Sequence, residues 1–183
     1  MKKVLLVTLQ CANIGCRLQN YALQKVLIDM GCEVWTPYYC LELNTLIKRV
    51  KNCIKILLGA IGIKKYRPCI YHTRRLKRYM EFDKQYIHNR FKLTYVDAFK
   101  KNWDEFDYAI TGSDQVWHKW SSEEKELEYF YLEYVDENKR IAYAPSFGFD
   151  SFPERDVQLH IDGICGMHRL SCREEKGQKL IKE

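Results

Sequence analysis

The first forty residues constrain the fold more than any other part of the chain. Lys2 to Leu9 is a short, nearly all-apolar run rich in Leu and β-branched residues, the pattern of a strand buried on both faces. Leu18, Ala22, Leu23, Val26, Leu27 and Met30 then recur at helical spacing, and Gly31 suits the C-terminal cap. Cys32 to Tyr38 is a second strand, closed by Pro37. Strand, helix and strand in so short a span form a βαβ unit, which requires a parallel sheet and puts the chain in the α/β class.

The remaining pattern continues this theme. Phe106 to Thr111 reads as a third strand, entered after Trp103 and Asp104, and Arg140 to Ala144 as another. Tyr129 to Val135 alternates poorly and fits a strand or a helix. Asp156 to Gly166 reads as a helix, Arg169 to Cys172 as a strand, and a last helix starts near Glu174. With 183 residues, 46% of them hydrophobic, the chain is long enough for one domain with a real core. Gln178 to Glu183 looks like a helix cut short, so the expectation is a part of something longer.

Charge is distributed unevenly. Lys48 to Lys101 holds 16 basic and 3 acidic residues, whereas Asn102 to Gly148 holds 4 basic and 11 acidic. Within the basic part, Leu43, Leu46, Ile47, Val50, Ile54, Leu57, Leu58 and Ile61 define one side of an amphipathic helix, with Lys48, Arg49, Lys51 and Lys55 largely on the other. A second basic helix runs from about Tyr71 to Ile87. The basic segment as a whole, about residues 43–101, is expected as an insertion or helical layer on a single α/β domain spanning 1–183. Its ordinary role is a solvated helix pair; its functional alternative is peripheral contact with an anionic membrane, which predicts salt-sensitive vesicle binding. Nucleic acid is not an expected partner, because no aromatic–glycine recognition motif accompanies the charge. No stretch has the roughly 18 uncharged apolar residues of a membrane span. The N-terminus turns polar too early for a signal peptide. A cytoplasmic protein follows, at the inner face of the membrane if the basic helices act there. In that compartment the eight cysteines stay reduced, and with no Cys-x-x-Cys pair they read as scattered core thiols.

In open parallel sheets, ligands bind beyond the carboxyl ends of the strands. The polar, glycine-bearing segments fall at those ends: Gln10 to Arg17, Gly112 to Gln115, Pro145 to Gly148, and Arg173 to Glu175. The first leads into a helix whose free N–H groups favour an anion, although Gly15 alone makes neither a dinucleotide fingerprint nor a P-loop. Asn13 and Gly15 serve equally well as a helix-start turn, Ser113 and Asp114 as a capping turn, and Arg173 as a surface partner of Glu174 or Glu175. His160, Asp162, Cys165, His168 and Cys172 crowd into thirteen residues with zinc-like spacing. The expected helix-to-strand change near Met167 separates them, so no metal site is assigned. No catalytic histidine motif stands out.

At these same loops the chain resembles the bacterial polysaccharide pyruvyl transferase family. The resemblance rests on Asn13-Ile-Gly-Cys-Arg-Leu-Gln-Asn-Tyr-Ala-Leu-Gln24, Asp107-Tyr-Ala-Ile-Thr-Gly-Ser-Asp-Gln-Val-Trp117, Arg140-Ile-Ala-Tyr-Ala-Pro-Ser-Phe-Gly148 and Leu170-Ser-Cys-Arg-Glu-Glu-Lys-Gly177, in family order. Ile14, Cys16 and Cys172 depart from the residues usual there. The resemblance implies a Rossmann-like parallel sheet flanked by helices, matching the N-terminal half of a GT-B-like two-domain transferase. It also implies transfer of the enolpyruvyl unit of phosphoenolpyruvate to sugar hydroxyls of a cell-surface polysaccharide precursor, giving a pyruvate ketal and phosphate. Phosphoenolpyruvate is then the donor substrate, with no further cofactor, and the acceptor is a glycan, lipid-linked if the basic helices meet the membrane.

The resemblance implies that the catalytic general acid lies in a C-terminal half beyond this chain. Asn13, Gly15, Cys16, Ser113, Asp114, Gln115, Ser146 and Arg173 are the substrate-binding residues expected in this half, with Arg173 on the donor's phosphate or carboxylate. Two alternatives stay open: a non-catalytic α/β binding module or half-enzyme completed by a partner chain or homo-oligomer, and a nucleotide-sugar glycosyltransferase-like enzyme.

Overall fold

The computed structural model describes residues 1–9, 13–38, 46–121, 123 and 125–182, leaving aside the side chains of 46–50, 52 and 66–73. Gln10 to Ala12, Leu43 and Cys40 of the sequence reading therefore lie outside the described residues, as do the side chains of Leu46 to Val50. The chain divides into two compact units, one of residues 1–39 with 87–183 and the other Cys40–Tyr86.

The first unit is an α/β sheet of the Rossmann-like kind. Its strands are β1 (Lys3–Val7), β2 (Glu33–Tyr38), β3 (Arg90–Lys92), β4 (Tyr108–Gly112), β5 (Arg140–Tyr143) and β6 (Arg169–Leu170). They form one sheet in the order β3-β2-β1-β4-β5-β6, and every pairing is parallel. Its helices are α1 (Ile14–Asp29), α4 (Tyr95–Ala98), α5 (Glu126–Phe130), α6 (Val157–Cys165) and α7 (Glu175–Lys182). The second unit contains α2 (Leu46–Ala60) and α3 (Arg67–Tyr86).

The central strand shows why this arrangement forms. Val4, Leu5, Leu6 and Val7 are each at most 2% exposed. Alternation sends Val4 and Leu6 to one face with Val34, Ile110 and Leu27 of α1. Leu5 and Val7 point to the other face, into a larger core of Ala109, Ala142, Trp117, Leu127, Tyr129 to Leu132 and Phe147. A strand apolar on both faces must lie inside the sheet and be covered twice. At its amino end, the Lys3 backbone N–H donates to Asp107 Oδ2 at 2.7 Å, which ties the starts of β1 and β4 together.

Helix α1 begins on Asn13, whose side chain accepts from the Gly15 N–H at 2.9 Å. It ends with Gly31 at φ +82°, where the Cys32 N–H returns to the Leu27 carbonyl, a turn that glycine makes at least cost. Buried polar groups lock its inner face. The Gln24 carboxamide donates to Thr36 Oγ1 in the interior and to the His88 carbonyl, and it accepts from the His88 N–H, the last two bonds being partly buried.

Several expectations need correction. Tyr129 to Val135 is neither a strand nor a continuous helix: α5 ends at Phe130, and Leu132 follows at φ +60°. Its aromatic side chains all seek one core, which decides its path more than periodicity does. The sequence reading has no counterpart for β3 or α4. Among the described cysteines only Cys16 is fully buried, while Cys53 and Cys165 are exposed, so the thiols are free but not uniformly core residues.

Candidate functional site

The strand order reverses between β1 and β4, since β2 and β3 are added on one side of β1 and β4 to β6 on the other. Crevices open at such a reversal, beyond the carboxyl ends of the strands. The loops after β4, β5 and β6 emerge at that edge, and so do the described parts of the segment after β1, which end β1 and open α1.

Two glycines let these loops close. A Cβ on Gly112, the last residue of β4, would lie 2.7 Å from Leu23 Cδ2 and 3.3 Å from Gln19 Nε2. A Cβ on Gly177, in the first turn of α7, would lie 2.3 Å from Cys172 Sγ and 3.3 Å from Phe147. Gly177 thus presses the start of α7 against the loop after β5.

The β4 and β5 loops are stitched by backbone bonds. The Asp114 carbonyl accepts from the Ser146 N–H at 2.8 Å and from the Val116 N–H at 2.8 Å. The Ser113 N–H donates to the Tyr143 carbonyl and the Trp117 N–H to the Ser146 carbonyl. Asp114 Oδ1 accepts from the Gln115 N–H at 2.9 Å within its own turn. Ser146 is 1% exposed, and its Oγ accepts from the Gly148 N–H. The β6 loop joins through the Arg173 N–H, which donates to the Pro145 carbonyl.

Over this stitched floor lies a cavity of about 160 Å³, lined chiefly by Gln115, Ser146, Gly148, Asp150, Lys176 and Gly177, with Phe147 and Phe149 as its apolar wall. The first turn of α7 forms part of the lining, and such a turn presents N–H groups and partial positive charge to an anion. Two cations flank the cavity. Lys176 Nζ pairs with Asp150 Oδ2 at 2.7 Å, and Arg173 Nη2 with Glu174 Oε1 at 2.8 Å, both pairs largely in solvent. Such exposed pairs are worth only about 0–1 kcal/mol. A multivalent anion can therefore replace either carboxylate at small cost.

The expected residues divide into three groups. Gln115 and Ser146 line the cavity, while Ser113 and Asp114 lie outside its lining and bond the β4 loop to the β5 loop. Arg173 stands exposed beside the cavity, with its guanidinium on Glu174. Asn13, Gly15 and Cys16 open α1 at the end of β1. There the Asn13 side chain is occupied as a cap and the Cys16 side chain is buried at 4% exposure. A Cβ on Gly15 would touch only Asn13, no closer than 3.5 Å, so packing does not demand glycine at that place.

Two further residues belong to this rim. Lys176 sits inside the fourth motif, but its distance from Asp150 and Gln115 in sequence hides its place. Gln19 projects from α1 toward Gly112, and its carboxamide N and O are buried without a hydrogen-bond partner. A lone buried Gln in a helix carries no sequence signal of that kind.

The zinc-like cluster is dispersed. His160 is 1% exposed, and its Nδ1 shares a 2.7 Å hydrogen bond with the Tyr131 hydroxyl. Burial pushes its pKa down to about 4. Cys165 and His168 are exposed, and burial raises the Cys172 thiol, which donates to the Pro145 carbonyl. Among the described residues, no group of three or more His, Cys, Asp or Glu side chains is arranged to hold a metal ion. No described helix is long and apolar enough to cross a membrane.

The family model described as polysaccharide pyruvyl transferase matches residues 13–183, a span that begins within the first rim segment, at Asn13, and contains the other three. No curated protein and no solved structure matches the chain at a significant level.

Proposed function

The chain belongs to the polysaccharide pyruvyl transferase family, and from that premise we propose that it forms the donor-binding half of an enzyme that moves the enolpyruvyl unit of phosphoenolpyruvate onto a glycan. The observation that carries this reading is a cavity lined by residues of three of the four family segments, with Lys176 in its lining and Arg173 next in sequence to the lining residue Glu174.

Phosphoenolpyruvate presents a phosphate and a carboxylate. Arg173 can turn from Glu174 to hold one of them through two parallel hydrogen bonds, and Lys176 can leave Asp150 to meet the other as a point charge. The first turn of α7 and the Gln115 carboxamide add neutral donors, while Ser113, Asp114 and Ser146 fix the loop that carries Gln115. Asn13, Gly15 and Cys16 start α1 across the crevice, on the acceptor side. In the reaction two sugar hydroxyls lose their protons as their oxygens bond to the central carbon of the enolpyruvyl unit, and the bond from that carbon to the phosphate oxygen breaks. In balance one proton leaves with the phosphate, and the other makes the methylene a methyl group. That proton needs a general acid, which we assign to a second half-domain, as the family resemblance implies.

The test is phosphate release from phosphoenolpyruvate by the full-length protein with candidate glycan acceptors, with the ketal methyl group followed by NMR. Acceptor-dependent release with ketal formation supports the reading. Binding of nucleotide sugars with no response to phosphoenolpyruvate replaces it with a glycosyltransferase-like activity. Binding of a glycan without turnover of either donor makes the chain a binding module.

A further inference from the structure

The unit Cys40–Tyr86 carries 12 basic and 3 acidic residues, a net charge of +9, whereas the whole chain carries +6. The rest is therefore −3, and the positive character of the protein resides in one helical hairpin. Its helices α2 and α3 pack on each other, with Gly59 buried and Ile56 and Leu58 half-buried on α2.

Other large aliphatic side chains on α2 and just past its end stay exposed. Ile54 is 50% exposed, Leu57 64%, and Ile61, just past the helix end, 73%. Spacings of three and four residues put them within an arc of about 60°, on the side turned away from Gly59. Ile63 continues the apolar surface at 42% exposure. Lys51 and Lys55 stand exposed beside this stripe, and Lys64 and Lys65 follow it. Single exposed aliphatics are ordinary. A contiguous stripe of them bordered by lysines is the arrangement of a helix lying in the interface of an anionic bilayer, apolar side down and ammonium groups at the headgroups.

We propose that the α2 face formed by Ile54, Leu57, Ile61 and Ile63 inserts into the surface of an anionic membrane, held there by the lysines around it. Charge complementarity selects this occupant. A nucleic acid would satisfy the cations and leave the aliphatic stripe in water. A protein partner would have to match a net charge of +9. The inference stands apart from the transferase reading, since it uses neither the rim nor its cavity. If both hold, the membrane surface is where a lipid-linked acceptor would be met.

The experiment is sedimentation of the full-length protein with phosphatidylcholine vesicles, with and without phosphatidylglycerol, at low and high salt. Partition is expected only with phosphatidylglycerol and is weakened by salt. The double variant Leu57→Asp, Ile61→Asp should lower it by roughly tenfold or more at low salt, with circular dichroism unchanged. In a second variant, Leu57→Trp, vesicles should blue-shift the added fluorescence, and lipids brominated on the acyl chain should quench it. The proposal fails if phosphatidylglycerol vesicles do not bind the protein, or if the double variant binds them as well as the parent. It fails also if the indole introduced by Leu57→Trp neither shifts nor is quenched, or if the stripe instead buries itself in a dimer that the double variant dissociates. Preference for RNA over phosphatidylglycerol vesicles would likewise overturn it.

Discussion

Acidification is expected to attack this fold through one side chain, His160. The imidazole lies in a wall of rings made by Tyr131, Phe147, Phe149 and Phe152, with ring centroids 5.1–5.9 Å away. Burial depresses its pKa from 6.5 to about 4; Asp156 nearby opposes the shift, while Lys119 and His118 reinforce it. The unfolded chain therefore takes up a proton below pH 6.5 that the native state refuses until about pH 4. Stability contributed by the neutral form is complete above 6.5 and falls as the pH drops through that window, at about 1.4 kcal/mol per unit. At about pH 4.5 the deficit reaches about 2–3 kcal/mol. Other groups titrate in the same range, so the assay is a comparison: urea unfolding of the parent and of His160→Phe, from about pH 7.5 to about pH 4.5. The variant loses the bond to Tyr131, a cost of about 1–3 kcal/mol at every pH. Its stability relative to the parent should then improve by about 2–3 kcal/mol on acidification. A difference independent of pH would refute the claim that this histidine is buried neutral.

Other perturbations test the packing and the rim. A Cβ on Gly163 would fall 2.2 Å from the fully buried Tyr131 ring, so Gly163→Ala should cost about 1–3 kcal/mol in denaturant unfolding. Gln24→Ala removes one buried and two partly buried hydrogen bonds, and should lower stability by about 1–3 kcal/mol without changing donor affinity. Lys176→Ala and Arg173→Ala should each weaken phosphoenolpyruvate binding by roughly tenfold in calorimetry, the energy of one charge-assisted contact, with melting temperature unchanged. Unaltered affinity in Arg173→Ala would remove that residue from the donor site.

Local pattern carried much of this architecture. The run Val4 to Val7, apolar at every position, can satisfy itself only inside a sheet covered on both sides. The spacing of Leu23 and Leu27 and the glycine at position 31 mark α1 and its end because both depend on nearest neighbours along the chain. Chain order likewise put polar segments after each strand. What escaped were elements without a periodic signal. β3 is three residues, Arg-Phe-Lys, held by backbone bonds to β2, and the Tyr129 to Val135 segment is shaped by where its aromatic rings can be buried.

The sequence by itself determined that a parallel α/β sheet forms, that its loops are polar at one edge, and that residues 48–101 concentrate positive charge. Only the tertiary structure decided which side of β1 receives β4, and that choice creates the crevice. It also made the Asp114 carbonyl a stitch between the β4 and β5 loops and set Lys176 opposite Asp150. Within the basic hairpin, it turned the stripe of Ile54, Leu57 and Ile61 outward. The division is physical: periodicity and caps are properties of neighbouring residues, whereas strand order, loop contacts and exposure follow from how distant segments share the burial of one apolar strand.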